Sequence, residues 1–242
     1  MRSVVVLPTY NEAENIERLL RTVRKAAPAT DVLVVDDGSP DGTGPIAERL
    51  GDELGRVEVL HRPGKSGLGS AYRDGFAQVL ASGRYDVIIS MDADLSHDPE
   101  QIPEFIRLLN DGADLVIGSR YVRGGGTTDW PIHRQMLSKW GNVYTRTILG
   151  VPSRDCTSGY RAYKAEALAS IDPMSTSAEG YAFLTELVRR LASQGGHIVE
   201  SPIIFRDRTK GKSKMSGRII IESMMLVTRW GIGDRIRRRR SR

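Results

Sequence analysis

Short runs of β-branched and aliphatic residues alternate with amphipathic segments through the first half of the chain. Five of these runs predict strands, at residues 3–7, 31–35, 56–60, 86–91 and 114–118. Within each run apolar and polar residues alternate little, which indicates burial on both faces, as in a parallel sheet. The segment 12–27 carries an apolar stripe at helical spacing and stops before Pro28. Repeated strand–helix–strand order predicts an α/β fold with a doubly wound, mostly parallel sheet and flanking helices.

Polar loops follow four of the predicted strands, at the edge where parallel sheets bind their ligands. These loops run over 8–12, 36–43, 62–69 and 92–97. In the last one, an Asp-Ala-Asp sequence can hold a hard divalent cation with room for phosphate oxygens of a ligand. The alternative is that its two acids only cap the helix that opens near Pro99. Asp36 and Asp37 end a neighbouring strand, and four carboxylates at one edge favour the cation because they otherwise repel each other.

The glycine-rich stretch at 64–69 does not have the spacing of a known nucleotide-binding loop. Its sequence Gly-Lys-Ser-Gly-Leu-Gly follows the third predicted strand and matches neither the P-loop pattern nor the dinucleotide fingerprint. The sequence therefore disfavours a P-loop ATPase and a dinucleotide dehydrogenase.

Length and composition suit one compact domain in a reducing compartment. The chain has 242 residues, and its 40% hydrophobic content excludes disorder over the whole length. No stretch approaches the ~18 unbroken apolar residues that span a bilayer, and the N-terminus has no signal-peptide cleavage region. The single cysteine, Cys156, cannot form an intrachain disulfide. These features predict a cytoplasmic protein.

Positive charge is concentrated near the C-terminus. Residues 206–242 contain 13 Lys or Arg and three acids, whereas residues 1–205 carry a net charge of −5. A helix predicted from Gly217 to about Trp230 has an apolar side, and the arginine run 237–240 follows it. This pattern is typical of a helix on anionic lipid, although the helix could instead pack on the sheet. We therefore predict two segments, a body over 1–216 and a membrane-contacting helix and tail over 217–242.

Six motifs follow one another along most of the chain. They are Pro-Thr-Tyr-Asn-Glu at 8–12, Asp-Asp-Gly-Ser-Pro-Asp-Gly-Thr at 36–43, Asp-Ala-Asp-Leu at 92–95, Gly-Ser-Arg at 118–120, Thr-Ser-Gly-Tyr-Arg at 157–161 and Phe-x-x-Arg-x-x-Gly-x-Ser-Lys-Met at 205–215. Together they resemble the family 2 glycosyltransferases of the GT-A (Rossmann-like) fold, and most closely the polyprenyl (dolichyl) phosphate mannose synthases. The resemblance implies an inverting transferase with a GDP-mannose donor, a polyprenyl monophosphate acceptor and a Mg²⁺ or Mn²⁺ cofactor.

The resemblance also implies roles for individual residues. The positions that hold the base and ribose of the donor are matched by Pro8, Tyr10, Glu12 and Asp37. Those that bind the donor diphosphate and the metal are matched by Asp92 and Asp94. The residues that receive the acceptor phosphate are matched by Arg120, Arg134 and Ser138, and basic-loop residues near the phosphates by Arg208 and Lys214. Asp94, Arg120 and Arg208 are thus the predicted catalytic residues. The chain departs from the family at Ser96, where many members carry Gln.

These residue types suit the chemistry of sugar transfer. Breaking a sugar–diphosphate bond leaves negative charge on the departing nucleotide, which a cation at Asp94 would stabilise together with Arg208 and Lys214. A phosphomonoester has a second pKa of about 6 and is already a dianionic nucleophile at neutral pH. Positioning by Arg120 and Arg134 is therefore expected to suffice without a general base.

Other functions stay open on the sequence alone. A UDP-sugar (glucose-type) transferase acting on the same lipid is the main alternative, because the motifs do not fix base or hexose selectivity. A processive polysaccharide synthase is disfavoured, since Arg229-Trp230 lacks the Gln of a Q-x-x-R-W motif. A nucleic-acid-binding module is disfavoured by the 6% aromatic content, and a non-catalytic scaffold by the retained acids.

A lipid acceptor also predicts where the protein works. We expect it in the cytoplasm, peripherally bound to the inner face of the cell membrane through its basic C-terminus, with no nucleic-acid partner. Because no spanning segment is predicted, an integral membrane protein is a plausible partner.

Overall fold

The computed structural model of the protein describes residues 1–207 and 217–240. Its strands are β1 (Ser3–Thr9), β2 (Asp31–Asp36), β3 (Val57–His61), β4 (Val87–Ser90), β5 (Leu115–Ser119), β6 (Gly126–Thr128), β7 (Arg161–Lys164), β8 (Ile198–Pro202) and β9 (Ile204–Arg206). Its α-helices are α1 (Ala13–Ala26), α2 (Thr43–Leu54), α3 (Leu68–Ser82), α4 (Ile102–Asn110), α5 (Ile132–Leu149), α6 (Ala165–Ser170), α7 (Gly180–Ser193) and α8 (Gly217–Arg240).

A seven-stranded sheet in the order β3-β2-β1-β4-β7-β5-β8 forms the centre of the fold. Its strands run parallel except β7, which pairs antiparallel with both β4 and β5. A second, two-stranded sheet joins β6 to β9. The prediction of a doubly wound, mostly parallel sheet with flanking helices is confirmed.

The core has two layers, one on each face of the large sheet. Successive residues of a strand point to opposite faces, so Val4 and Val6 pack with α3 and α7 while Val5 and Leu7 pack with α1 and α4. Both sets of side chains are buried. Burial on both faces explains why these strands are runs of valine, leucine and isoleucine without polar alternation.

The predicted elements differ from the structure mainly in the second half of the chain. The five predicted strands match β1 to β5 within two residues. The sequence also predicts a helix over 132–149 from its spaced apolar residues, and this helix is α5. It predicts one strand over 197–205, where the structure has two strands, β8 and β9, in different sheets. Pro202 ends β8 because it has no amide hydrogen to extend the ladder.

Helix α8 packs on the body of the protein. Val227 is buried in the core beside α7, and the Tyr144 and Thr228 hydroxyls lie 2.6 Å apart, which joins α5 to α8. Arg189 Nε donates to Asp234 Oδ2 at 2.7 Å. The helix also continues beyond the predicted end near Trp230. The division of the chain at residue 216 remains a prediction, because 208–216 lies outside the described residues.

The described helices show no membrane-spanning segment. Within 1–207 and 217–240, none combines the length and the apolar character needed to cross a bilayer.

Candidate active site

Loops at the carboxyl ends of β1 to β4 form the functional edge of the sheet. In the strand register, Thr9 lies opposite Asp36, and Asp36 lies opposite His61. The loop that carries Asp92 leaves β4, the neighbour of β1. The sheet topology therefore places the four loops at one edge, as predicted.

Protein donors hold the Asp36 and Asp37 carboxylates at this edge. Asp36 accepts hydrogen bonds from the Thr9 hydroxyl at 3.0 Å and from the Ser39 hydroxyl at 2.6 Å, which makes it part of a turn. Asp37 forms a buried ion pair with Arg62. Arg62 also donates to Asp74 at 2.7 Å. Hydroxyl donors thus satisfy Asp36, and an arginine balances the charge of Asp37. Asp92 and Asp94 belong to a separate loop.

The predicted donor-site residues lie on the loops after β1 and β2. Pro8 is half-buried near the end of β1, and Tyr10 is half-buried just beyond the strand. The Lys65 ammonium lies 4.3 Å from the centre of the Tyr10 ring, an arrangement that attracts a cation to the ring face. The Glu12 carboxylate accepts a hydrogen bond from Asn15 at 2.8 Å. Lys65 is thus a neighbour of the predicted donor-site residues, although it lies in none of the six motifs.

A tight turn shapes the Asp-Ala-Asp loop. Asp94 is buried, and its carboxylate accepts the Ser96 amide at 3.1 Å. Leu95 between them has a φ of +63°, a region that few residues other than glycine adopt. This turn holds the Asp94 carboxylate against the backbone amide of Ser96.

His97 and Gly159 support Asp92 from two sides. The Asp92 amide donates to His97 Nδ1 at 3.1 Å, so that nitrogen carries no proton and the neutral ring keeps its proton on Nε2. Burial lowers the pKa of His97 below its usual value, although Asp92 and Asp94 oppose that shift. A Cβ at Gly159 would lie 3.2 Å from Asp92 Oδ1, so a side chain there would press on the carboxylate. No sequence pattern marks His97 for this role, because its contacts with Asp92 and Tyr160 form only in the fold.

The oxygen atoms of this loop suit a hard divalent cation. The Ser96 hydroxyl is buried and has no hydrogen-bond partner among the residues that the structure describes. Leaving such a group unpaired costs about 1–3 kcal/mol, so a ligand beside it is favoured. In the same ranges no group of three or more His, Cys, Asp and Glu is placed to hold a metal. Asp92 and Asp94 would therefore need further oxygen ligands, such as this hydroxyl, water or phosphate.

Arg120 is held in the interior by a carboxylate that is distant in sequence. Its Nε and Nη2 atoms donate to Asp155 at 2.7 and 2.6 Å, and its amide donates to the same carboxylate at 3.0 Å. Nη2 also donates to the Thr157 hydroxyl at 2.8 Å. Burial alone would raise the pKa of Asp155, but the charge of Arg120 and its hydrogen bonds hold that pKa below its usual value. The arginine is thus fixed and charged.

Arg134 and Ser138 lie on the first turns of α5. Arg134 Nη1 donates to Asp207 at 3.0 Å, and its guanidinium lies 4.0 Å from the centre of the Trp130 ring. The Tyr121 hydroxyl donates to the Ser138 hydroxyl at 2.6 Å. One helix therefore carries two of the three residues predicted to receive the acceptor phosphate.

One cavity brings these groups together. Its polar lining includes Asp92, His97, Arg120, Arg134 and Ser138. Its apolar lining lies between α5 and α8 and includes Leu137, Trp140, Met224 and Val227. The cavity therefore combines the Asp-Ala-Asp loop and two arginines with an apolar passage between α5 and α8. Of the remaining predicted residues, Arg208 and Lys214 lie outside the described residues.

A model of one protein family matches most of the chain. The model described as "Glycosyl transferase family 2" matches residues 4–172. The chain belongs to glycosyl transferase family 2. This family 2 assignment confirms the resemblance that the six motifs predicted.

Curated relatives extend over nearly the whole chain. The polyprenol monophosphomannose synthase of Mycolicibacterium smegmatis is 48% identical over 240 residues, which are 99% of this chain and 90% of that protein. The undecaprenyl-phosphate mannosyltransferase of Micrococcus luteus is 48% identical over 97% of this chain and 96% of its own length. The dolichol-phosphate mannosyltransferase of Pyrococcus furiosus is 36% identical over 95% of this chain and 63% of its own length.

Solved structures show the same fold. The glucosyl-3-phosphoglycerate synthase of Mycobacterium tuberculosis, in a complex with Mn²⁺, uridine diphosphate and phosphoglyceric acid, has a TM-score of 0.68. The two proteins are 20% identical over 94% of this chain and 78% of that one. The match confirms the predicted GT-A architecture.

Proposed function

We propose that this protein is an inverting mannosyltransferase. It moves mannose from GDP-mannose to a polyprenyl monophosphate and releases polyprenyl phosphate mannose and GDP. The observation that carries the proposal is the cavity, whose lining combines two arginines with an apolar passage between α5 and α8. A polyprenyl phosphate has the same division into a charged head and an apolar chain. The names of the curated relatives support mannose as the transferred sugar and a polyprenyl phosphate as the acceptor.

The proposed acceptor site is built from Arg120, Arg134 and Ser138. The guanidinium fork of arginine matches phosphate oxygens, and two forks suit a dianion. The isoprenoid units next to the phosphate would lie between Leu137 and Val227, in the apolar part of the lining.

The proposed donor site lies on the adjoining loops. Pro8, Tyr10, Glu12 and Asp37 would contact the base and ribose, and Asp92 and Lys214 the diphosphate side. Asp37 already pairs with Arg62, so it would accept hydrogen bonds from the donor while its charge stays compensated. The half-buried Tyr10 ring offers a flat face for a base.

Asp92 and Asp94 are the proposed ligands of a divalent metal, Mg²⁺ or Mn²⁺. When bound, such an ion neutralises charge on the departing diphosphate as a Lewis acid. The unpaired Ser96 hydroxyl supports this location, as does the Mn²⁺ complex of the structurally similar synthase.

The proposed reaction is a single displacement at the anomeric carbon. An oxygen of the acceptor phosphate bonds to this carbon while the bond from the carbon to the β-phosphate of GDP breaks. The electron pair of the broken bond stays with GDP. Arg120 and Arg134 orient the attacking phosphate, and Arg208 would stabilise the charge on the leaving side.

A membrane surface is the proposed source of the acceptor. Five apolar residues of α5 are between 42% and 75% exposed and form what we call the α5 stripe: Ile132, Met136, Leu137, Trp140 and Val143. Leu137 and Trp140 also line the cavity, so the exposed stripe is continuous with the apolar passage. An exposed apolar face beside a basic segment suits an anionic lipid surface. We infer peripheral binding at the inner face of the cell membrane, where an integral membrane partner would also be accessible.

Sugar transfer between defined substrates tests the proposal. Purified protein is incubated with GDP-mannose, farnesyl phosphate and either Mg²⁺ or Mn²⁺, and GDP release is measured. We expect release that requires both the metal and the lipid phosphate. Farnesol, which has the same chain without the phosphate, is the matched control and should give none.

The donor is tested in parallel. UDP-glucose replaces GDP-mannose, and competition by GDP is compared with competition by UDP. Faster turnover with UDP-glucose would favour the UDP-sugar alternative, and turnover independent of the lipid phosphate would contradict the proposed acceptor.

A further inference from the structure

Trp130 lies between the two arginines of the cavity. It directly precedes α5, is 7% exposed, and lines the cavity. The Arg134 guanidinium is 4.0 Å from the centre of its ring, and the Arg120 guanidinium is 5.5 Å away. Phe205 packs edge-on against the same ring at 5.4 Å. One indole therefore contacts both groups that the proposed function assigns to the acceptor phosphate.

The indole N–H of Trp130 has no acceptor among the residues that the structure describes. Nε1 is buried and makes no hydrogen bond to any residue within the described ranges. Native proteins rarely bury a donor without a partner, because the donor loses its bonds to water and gains nothing in return. Such a group in a ligand cavity points to an acceptor that arrives with the ligand.

The surrounding charges indicate what kind of acceptor this is. Two guanidiniums near one ring repel each other, although the ring face attracts each of them. Arg120 is paired with Asp155, and Arg134 is paired with Asp207. A phosphate bound at both guanidiniums would reduce the repulsion, and its oxygens can accept a further N–H bond.

We infer that Trp130 is a binding residue for the acceptor phosphate. Its indole N–H donates to a phosphate oxygen, and its ring keeps Arg120 and Arg134 on either side of that anion. The inference rests on the proposed function, because that function assigns the cavity to a lipid phosphate. It adds a neutral donor to a site that the motifs describe through Arg120, Arg134 and Ser138.

The indole N–H can be observed directly by NMR. The chain contains three tryptophans, so protein with ¹⁵N-labelled indoles gives three resonances, which single Trp→Phe variants assign. We expect farnesyl phosphate to move the Trp130 resonance downfield, as a new charge-assisted hydrogen bond does. Farnesol and GDP should not move it in this way, which separates the acceptor phosphate from the lipid chain and from the donor.

Binding affinity provides a second measurement. Trp130→Phe keeps an aromatic ring for the two arginines and removes the N–H, so the Kd for farnesyl phosphate should rise about tenfold. Trp230→Phe is the matched control, because Trp230 lies outside the cavity lining, and its Kd should not change. Equal unfolding midpoints would show that the variants are folded. If Trp130→Phe does not fold, the titration of the unaltered protein still decides.

Three results would overturn the inference. They are an unmoved Trp130 resonance while farnesyl phosphate binds, an unchanged Kd in folded Trp130→Phe, and a downfield shift produced by GDP instead. Failure of the unaltered protein to bind farnesyl phosphate at all would contradict the proposed acceptor and, with it, this inference. The first three results leave the proposed function intact.

Discussion

Asp155 controls the orientation of Arg120 from the interior of the protein. It is fully buried, and its own amide donates to Glu200 at 2.9 Å, so both the acid and the arginine are fixed. A buried ion pair gains little net stability, because desolvation offsets the attraction, but it costs much to break. The pair therefore matters mainly for the direction in which Arg120 faces the cavity.

Asp155→Asn should weaken both folding and acceptor binding. The variant leaves a buried arginine without its counter-charge, which lowers the free energy of unfolding by about 3–5 kcal/mol. The KM for farnesyl phosphate should rise while the KM for GDP-mannose stays unchanged. Asp111→Asn is the matched control, since Asp111 forms an exposed pair with Arg107 and its loss should cost about 1 kcal/mol or less. An equal rise in both KM values would argue against a positioning role.

The same pair predicts a pH dependence of stability. Because the pKa of Asp155 is lower in the folded than in the unfolded protein, the carboxylate stabilises the fold above its unfolded pKa of about 3.9. This contribution is lost as the pH falls through the folded pKa. In urea unfolding, the stability difference between the unaltered protein and Asp155→Asn should therefore shrink below about pH 4. A difference that stays constant with pH would contradict the lowered pKa.

Asp94→Asn tests the proposed metal site. The change removes a charged ligand and keeps the shape of the side chain, so Mn²⁺-dependent turnover should fall about 100-fold or more. The affinity for Mn²⁺ in the presence of GDP, measured by EPR, should also fall. Asp98→Asn is the matched control: Asp98 caps the next helical turn through the Glu100 amide, and Asn can do the same. Unchanged Mn²⁺ affinity in Asp94→Asn would exclude it as a ligand.

The sequence predicts elements that have a local residue pattern, but it does not predict contacts between residues far apart in the chain. Strands β1 to β5 were predictable because buried parallel strands are nearly continuous apolar runs. Strand β7 was missed, because four residues with an arginine among them carry no strand pattern, and its place between β4 and β5 depends on tertiary pairing. Likewise Arg120 could be selected from a motif, whereas Asp155, 35 residues away, and Trp130 take part only through contacts made in the fold.

The packing of α8 on α5 depends on a close approach at Gly231. A Cβ there would lie 2.5 Å from Ile148 Cγ2 and 2.7 Å from the Ile148 carbonyl oxygen. A backbone atom cannot move aside as a flexible side chain can. This contact brings α8 against α5, and the two helices together line the apolar passage of the cavity.

Gly231→Ala should separate the two helices locally. We expect overpacking to lower the free energy of unfolding by about 1–3 kcal/mol and to raise the KM for farnesyl phosphate. Gly233→Ala is the matched control, because nothing lies within 4 Å of a Cβ there. It should stabilise the helix by up to about 1 kcal/mol, the usual difference between glycine and alanine in a helix. If both variants behave alike, the close approach at Gly231 does not matter.

Apolar exposure and positive charge occur on the two helices that line the apolar passage. Helix α8 lies beside α5, and its last four residues, 237–240, are the arginine run. The α5 stripe supplies exposed apolar area, and Leu137 and Trp140 of this stripe also line the cavity. A lipid acceptor could then pass from a bilayer into the cavity without crossing water, which is why we place the membrane at this surface.

Vesicle sedimentation tests this orientation. Met136→Asp places a charge in the α5 stripe and should lower partitioning onto vesicles containing phosphatidylglycerol by about tenfold, since it removes an apolar side chain from the lipid contact. Met174→Asp is the matched control, because Met174 is also exposed, at 43%, but belongs to the short helical turn Pro173–Ser175 and not to α5. Ending the chain after Ile236 removes the arginine run and keeps the Arg189–Asp234 pair. This truncation should weaken binding to anionic vesicles at low salt and leave binding to neutral vesicles unchanged. Equal loss in Met136→Asp and Met174→Asp would show that the membrane does not meet the protein at α5.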